Sequence, residues 1–260
     1  HEDGVWWLGH ASVLLQLDGN IILTDPVFSR RASPLPFLGP QRKTPPVLSV
    51  DQLHQLDAVV ISHNHYDHLD DATIRRILKR FPDVCCFVPL GLTDWFRRRG
   101  AKRVVELDWW QSFTWQGMTL TAVPAQHWSM RTPWNRNRSL WCDWVMEGRH
   151  HRFWFSGDTG YSPELLLIPE RLGQIDAAAL PIGAYAPRWF MAVHHMDPKS
   201  AVALWQQLGC PLAFPIHWGV FELADEALDE PVQELTDALD NLAPVNHSFR
   251  ILKIGEYLSF

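Results

Sequence analysis

The sequence is short of several things, and each shortage closes off a class of protein. Its 260 residues contain no uninterrupted apolar run near the ~20 residues that span a bilayer, so a chain that is soluble or peripheral to a membrane is expected. Four cysteines, two of them adjacent at Cys85-Cys86, make no disulfide framework, and a reducing compartment, cytoplasmic or at a membrane surface, is the expectation. Positive charge is also scarce. The net charge is −6 and no long basic stripe is present to neutralise phosphates, which argues against a general nucleic-acid binder. Short-period repeats and low-complexity segments are absent. The chain starts at His1 without an initiator Met, as a processed or trimmed piece would.

What is there begins with length and apolar content. At 260 residues and 47% hydrophobic, the chain can bury a large core, as one domain or as two tightly fused halves. Fourteen tryptophans are many for this length; most are expected in the core or a groove wall, because indoles bury large areas and keep one polar handle. Trp128, Trp134, Trp189 and Trp218, close to polar loops, can line an acyl-chain groove or meet a lipid interface. Basic residues cluster only locally, at Arg30-Arg31, Arg42-Lys43, Arg97-Arg98-Arg99 and Arg131 with Arg136 and Arg138.

The most informative stretch is His63-Asn64-His65-Tyr66-Asp67-His68, at the end of the apolar run 56–62. A buried strand that delivers three imidazoles and a carboxylate in six residues builds a poor core and a good site for divalent metal ions. If the strand leaves extended, His63 and His65 share a face and can grip one ion. If the chain then turns into the helix expected over 71–81, Asp67 and His68 sit at the turn and can face a second ion. A solvated histidine-rich turn would use the same letters, but not after such a strand and before such a helix.

Taken in order, residues 5–8, 12–17 and 21–24 read as strands, with a hairpin turn at Asp18-Gly19-Asn20. His10 and Asp25 lie where strands run out, and either can orient a metal ligand from outside or simply cap a turn. Residues 26–46 hold six prolines and form a long irregular loop suited to walling a groove. Strands follow at 84–88, 104–107 and 118–123, with a short helix at 92–100 ended by glycine. His127, at the end of 118–123, is the natural third imidazole for the first ion. Strands at 140–146 and 152–155 lead to Ser156-Gly157-Asp158-Thr159-Gly160, where flanking glycines allow a tight turn. A carboxylate presented there can bridge ions ~3.5–4 Å apart. Ser162-Pro163-Glu164 opens a short helix, 175–180 is a strand, and Asp197-Pro198 starts a helix with Ala201, Val202, Leu204, Trp205 and Leu208 facing inward. The strand 212–216 ends in His217, the last candidate ligand; a helix at 231–242 and strands at 249–253 and 257–260 close the chain.

His63, His65, Asp67, His68, His127, Asp158 and His217, in that order, resemble the ligand set of the metallo-β-lactamase-fold hydrolases. The resemblance implies an α/β fold, the four-layer αββα sandwich, as a single domain over 1–260. It implies two zinc ions: His63, His65 and His127 on the first, Asp67, His68 and His217 on the second, and Asp158 between them. Trp7 to Ala11, Leu23 to Pro26, Val88 to Leu92, Glu106 to Trp110, Gly157 to Tyr161, Pro181 to Tyr185, Pro187 to Met191 and Ile216 to Gly219 are similar to the N-acyl-phosphatidylethanolamine-hydrolysing phospholipase D branch, over nearly the whole chain. The chain departs from that branch at His194, where the family has Gln, and at Ala186, where the animal enzymes have Glu. It also lacks their N-terminal extension, part of their membrane contact.

The chemistry so implied is hydrolysis of a phospholipid-like phosphodiester by a hydroxide bridging two zinc ions, releasing the head-group alcohol and phosphatidic acid. Asp67 and His195 are read as catalytic, His195 protonating the leaving oxygen or positioning the phosphate. Tyr66, His194 and Tyr185 are placed against the substrate, and His10 and Asp25 behind the ligands. The partners implied are the phosphodiester itself and a peripheral membrane contact, with room for a homodimer. Two other functions share these residues. One keeps the metals and cuts another bond, in a lactone, thioester, β-lactam or small phosphodiester, although Asp158 argues against the common zinc β-lactamases, which use Cys there. The other is a membrane-associated binding protein with structural metals, for which a full two-metal ligand set is more than stability requires.

Overall fold

The computed structural model describes residues 2–209, 211–242 and 248–260. The first part of the chain forms β1 (Gly4–Gly9), β2 (Ser12–Leu17), β3 (Asn20–Thr24), β4 (Ala58–Val60), α1 (Asp71–Arg80), β5 (Cys85–Pro89), α2 (Thr93–Arg97) and β6 (Arg103–Leu107). The second forms β7 (Ser112–Trp115), β8 (Met118–Val123), β9 (Asp143–Glu147), β10 (Arg152–Phe155), α3 (Leu167–Leu172), β11 (Ala177–Pro181), α4 (Arg188–Met191), α5 (Pro198–Gln207), β12 (Leu212–Ile216), α6 (Glu230–Asp240) and β13 (Tyr257–Ser259).

Alternation along the strands builds the layers. Val5 and Trp7, Val13, Leu15 and Leu17, Ala58 and Val60, and Cys85 and Phe87 point to one face. There they meet Met118, Leu120, Trp144, Phe153 and Phe155 of the other sheet. The intervening residues Leu8, Val59, Cys86 and Val88 face α1 and α2, with Ile74, Ile77 and Phe96. On the far side Val145, Trp154, Ala178 and Leu180 face α3, α5 and α6. The result is the expected αββα sandwich, a seven-stranded sheet β13-β1-β2-β3-β4-β5-β6 against a six-stranded sheet β12-β11-β10-β9-β8-β7. Helix α1 starts where Asp70 accepts a hydrogen bond from the Ala72 amide, and it carries Asp71 first and Lys79 and Arg80 last, in accord with its dipole.

Strand direction decides where chemistry can sit. β1, β3 and β4 run the same way in the first sheet, and β8, β10, β11 and β12 run the same way in the second. His10, Asp25, His63 to His68, His127, Asp158 and His217 all follow the carboxyl ends of these strands.

Two local readings change. Residues 249–253, expected as a strand, contribute only one bridge, Phe249 to Ala213, because the chain crosses the end of β12 without lying along it. Strand β7 was not expected: Phe113 and Trp115 alternate with Ser112 and Thr114 and both meet Phe87, but four residues carry too short a period to stand out. No helix among the described residues is long and apolar enough to cross a membrane.

The two sheets are pinned beside the histidine motif. The buried indole of Trp144 in β9 donates to the Ile61 carbonyl at 2.8 Å, and the Cys142 amide donates to the Ser62 carbonyl at 2.9 Å. Trp144→Phe leaves that carbonyl buried without its donor and part of the indole's space empty, and is expected to lower unfolding stability by at least the ~1–3 kcal/mol of the lost donor; urea denaturation followed by far-UV circular dichroism measures it.

Candidate metal centre

The positions that carry the candidate ligands are shaped by the backbone. His10, Asp25 and His217 have φ of 53°, 33° and 62°, a left-handed conformation that costs ~1–3 kcal/mol at a non-glycine residue. Two glycines bring segments into contact. A Cβ on Gly157 would lie 2.6 Å from Ser62 Cβ, and one on Gly183 would lie 2.0 Å from the His217 carbonyl oxygen. The turn bearing Asp158 thus rests against the residue that precedes His63.

Three imidazoles converge first. His65 Nδ1 lies 2.9 Å from His63 Nε2 and 3.2 Å from His127 Nε2. Hydrogen bonding behind the rings fixes their tautomers. The Ser62 hydroxyl donates to Asp25 and accepts from His63 Nδ1 at 2.9 Å, and His127 Nδ1 donates to the His194 carbonyl at 3.0 Å. His63 Nε2 and His127 Nε2 therefore present lone pairs to each other, with at most one hydrogen, on His65 Nδ1, between them. Burial holds His63 and His127 well below the usual imidazole range and brings His65 to about 4, so none relieves the contact by protonation. A cation at the centre does relieve it, and spacings near 3 Å suit the edge of a tetrahedral nitrogen site, ~3.3 Å for metal–nitrogen bonds of ~2.0 Å.

The second group has the opposite electrostatics. Asp67 Oδ2 lies 3.3 Å from His68 Nε2, 3.3 Å from His217 Nε2 and 3.0 Å from His10 Nε2. Burial alone would lower His68 and His217, but Asp158 and Asp67 outweigh it, raising His68 well above its ordinary value and His217 to about 9. Burial likewise pushes the two carboxyls up, and the imidazoles, His68 foremost at Asp67 and His217 at Asp158, bring them well below the usual carboxylate range. Protons stand here where the carboxylates call for cationic charge. Asp158 links the groups: Oδ2 is 3.0 Å from His68 Nε2, 3.8 Å from His127 Nε2 and 3.9 Å from His63 Nε2, and Oδ1 is 3.1 Å from His217 Nε2. These donors fit divalent metal ions.

Outside this set, Asp25 accepts from His68 Nδ1 at 2.6 Å and from the Ser62 amide at 2.7 Å. His195 Nδ1 lies 3.9 Å from Asp158 Oδ2 without a hydrogen-bond partner, and burial takes this imidazole down to about 4. His195, His65, Asp67 and Tyr66 line a groove of about 370 Å³ whose apolar wall is Trp128, Met130, Met191 and Leu223. A larger cavity of about 700 Å³ adjoins it through Tyr66 and Arg131, but none of the imidazoles reaches it.

Tyr185 is a correction. Expected against the substrate, it is buried with its hydroxyl donating to Glu230 of α6 at 3.3 Å. The left-handed turn at Ala184 (φ 62°) puts Ala184, not Tyr185, on the groove. His194 also lies off the groove wall, and its carbonyl rather than its ring acts, on His127. Trp218 is stacked on Trp7 at 5.0 Å, toward the core. Two residues had no sequence signal as parts of the site. Ser62 couples Asp25 to His63, and the half-buried Arg131 donates to the Asn64 and Leu69 carbonyls at 2.9 and 2.6 Å while its guanidinium lies 4.0 Å from the Tyr66 ring centroid. Glu226 accepts from the Ala184 and Ala186 amides at 2.6 and 2.9 Å, a carboxylate clamp on the segment beside the groove.

Residues 20–218 match the family described as a beta-lactamase superfamily domain. Across 98% of its length the chain is 42% identical to a Caenorhabditis elegans protein named N-acyl-phosphatidylethanolamine-hydrolyzing phospholipase D 1, of which it spans 76%. Across 88% it is 32% identical to the mitochondrial protein of the same activity name from Saccharomyces cerevisiae, of which it spans 50%. The fold superposes on a structure from Veillonella parvula described as a possible metal-dependent hydrolase, with a TM-score of 0.82, 17% identity and all of both chains covered.

Metal loading is expected to release protons. His68 and His217 hold them at pH 7, and a ligand imidazole must be neutral, so affinity should fall as pH is lowered from about 9. Calorimetric titration with zinc in buffers of different ionisation enthalpy reads the protons released. Asp25→Asn should weaken the affinity about 10–100-fold at fixed pH, measured by competition with a chromophoric chelator.

Proposed function

The chain belongs to the beta-lactamase superfamily and is a metal-dependent hydrolase, and from that premise we propose that it is a two-zinc phosphodiesterase hydrolysing N-acyl-phosphatidylethanolamine or a close phospholipid. In this reading residues 1–260 act as one domain. His63, His65 and His127 hold the first ion, Asp67, His68 and His217 the second, and Asp158 serves both. The observation that carries the reading is the position of Asp158, one carboxylate within 4 Å of imidazoles from both groups at the floor of an open groove. When bound, the ion pair brings the pKa of water down to about 7 and neutralises charge on the phosphoryl oxygens.

The protein's own groups do the rest. Asp67 is held by three imidazoles and keeps the floor of the groove anionic and ordered. His195 stays neutral at pH 7, so the role it supports is donation of a hydrogen bond to a phosphoryl or leaving oxygen rather than delivery of a proton as imidazolium. Trp128, Met130, Met191 and Leu223 offer an apolar wall suited to an acyl chain, next to Asp158 and His195, and this supports a lipid whose phosphodiester lies over those two residues. Water adds to phosphorus and the P–O bond to the N-acylethanolamine breaks, leaving phosphatidic acid.

Mixed micelles of N-acyl-phosphatidylethanolamine with the zinc-loaded protein should yield both products by mass spectrometry. Asp158→Asn should abolish turnover. His195→Ala should lower kcat about 10²–10³-fold, with His195→Gln, which keeps an N–H donor, recovering part of the loss. Two zinc ions bound with no lipid product would retain the hydrolase and discard this substrate.

A further inference from the structure

Three imidazoles lie on Asp67 Oδ2, and they are not equivalent. His68 and His217 stand between two carboxylates: each Nε2 is 3.3 Å from Asp67 Oδ2, and the same atoms are 3.0 and 3.1 Å from the oxygens of Asp158. His10 is closer to Asp67, at 3.0 Å from Nε2 to Oδ2, and makes no ion-pair contact with Asp158. The ligand atoms of all four residues lie within 4.8 Å of one another, so reach alone does not separate a ligand from a support. The second carboxylate does. An ion shared by Asp67 and Asp158 has His68 and His217 as its imidazoles and leaves His10 bonded to Asp67 alone. A carboxylate has about four lone-pair sites, so an N–H on one oxygen fixes its rotation and leaves the others for an ion.

His10 reaches the same half of the site through its backbone. Its carbonyl accepts from the His217 amide at 3.1 Å and from the Trp7 indole at 2.9 Å, and its ring centroid is 4.2 Å from that of His217. Asp67 follows β4 of the first sheet and His217 follows β12 of the second, so one residue in the turn between β1 and β2 meets donors from both sheets. The ring is 1% exposed and its backbone is left-handed, a strained conformation that persists only where the surroundings over-determine it. His10 makes no hydrogen bond to His63, His65 or His127, whose supports are Ser62 and the His194 carbonyl.

We infer that His10 is a positioning residue for the second ion: its Nε2–H turns and holds the Asp67 carboxylate while its carbonyl seats His217, so that losing the ring weakens the second position and spares the first. His10 has this role only if two ions bind, as the two-zinc reading has it, and metal binding rather than turnover tests it. Asn adopts the left-handed region readily and carries its amide nitrogen only as far as Nδ1, short of Asp67, whereas Gln carries one about as far as Nε2. In titrations of metal-free protein against a chromophoric chelator, the wild type should take up two zinc ions. His10→Asn should bind the first with unchanged affinity and the second about 10–100-fold more weakly, and His10→Gln should recover most of that loss. A second measurement needs no variant. Proton–nitrogen correlation spectra of the zinc-loaded wild type should place the His10 ring hydrogen on Nε2, and replacing zinc with spin-active cadmium should split the ring nitrogens of His68 and His217 but not those of His10. Two ions held by His10→Asn with wild-type affinities overturn the inference and leave the two-zinc reading standing. Equal weakening of both ions does the same, since it marks a support of the whole fold, and cadmium coupling at His10 overturns it by making the residue a ligand. A wild type that binds a single ion removes the two-zinc reading and the inference together.

Discussion

The site depends on three tightly packed imidazoles that meet at one point with at most one hydrogen among the nitrogens that face one another, an arrangement a metal cation suits. Nε2 of His63 and of His127 aim lone pairs at the same point, with His65 Nδ1 completing the triangle. Nothing in the protein lets those rings turn away, because the far nitrogen of His63 is held by Ser62 and that of His127 by the His194 carbonyl. Next to this lone-pair cluster sits a carboxylate cluster that draws protons onto His68 and His217. One half of the site lacks hydrogens and the other has gained them, and Asp158 lies between. Metal cations are the groups whose charge answers both halves.

The scaffold serves that contact at several removes. Asp25 orients His68 directly and His63 through Ser62, so one buried carboxylate sets rings on both sides of the site. Trp144 and Cys142 bind the second sheet to the loop at 61–62, and Arg131 ties Asn64 and Leu69 from the opposite wall. Positive φ at His10, Asp25 and His217 shows that the backbone bends sharply where the side chains must converge. A site supported from this many directions is held rigid before any ligand arrives.

Much of this was legible in the sequence, and the limits have physical reasons. The 63–68 motif reads directly because its spacing acts over two or three residues of local geometry. His127, Asp158 and His217 read only as strand ends, and they gain meaning from the motif far upstream and from the resemblance. The layers follow from alternation in β1, β2, β4 and β5, where every residue has a buried face to fill. Strand β7 escaped because its alternation runs over only four residues, and 249–253 misled because its buried apolar residues, Phe249 beside Trp205 and Leu252 in the inter-sheet core, sit on a segment that makes one bridge. Ser62 and Arg131 were invisible in their roles, since a hydroxyl set between the Asp25 carboxylate and the His63 ring, or a guanidinium bonded to backbone carbonyls, leaves no pattern in the letters. Tyr185 failed for a similar reason: a single left-handed residue before it decided which way its ring points.

The matched direction of the strands has a consequence at the other end of the sandwich. The turns at Asp18-Gly19, Gln116-Gly117 and Gly148 to His151 gather at the edge away from the metal centre, and the first and last of them touch where the Arg149 amide donates to Asp18 at 2.7 Å. These hairpins carry none of the candidate chemistry and connect strands that are already paired. That edge is therefore a handle: an anchoring tether, a fluorescent label or a fused protein attached there leaves the groove, its rim and its ligands facing outward, so the molecule can be immobilised or tracked in a fixed orientation.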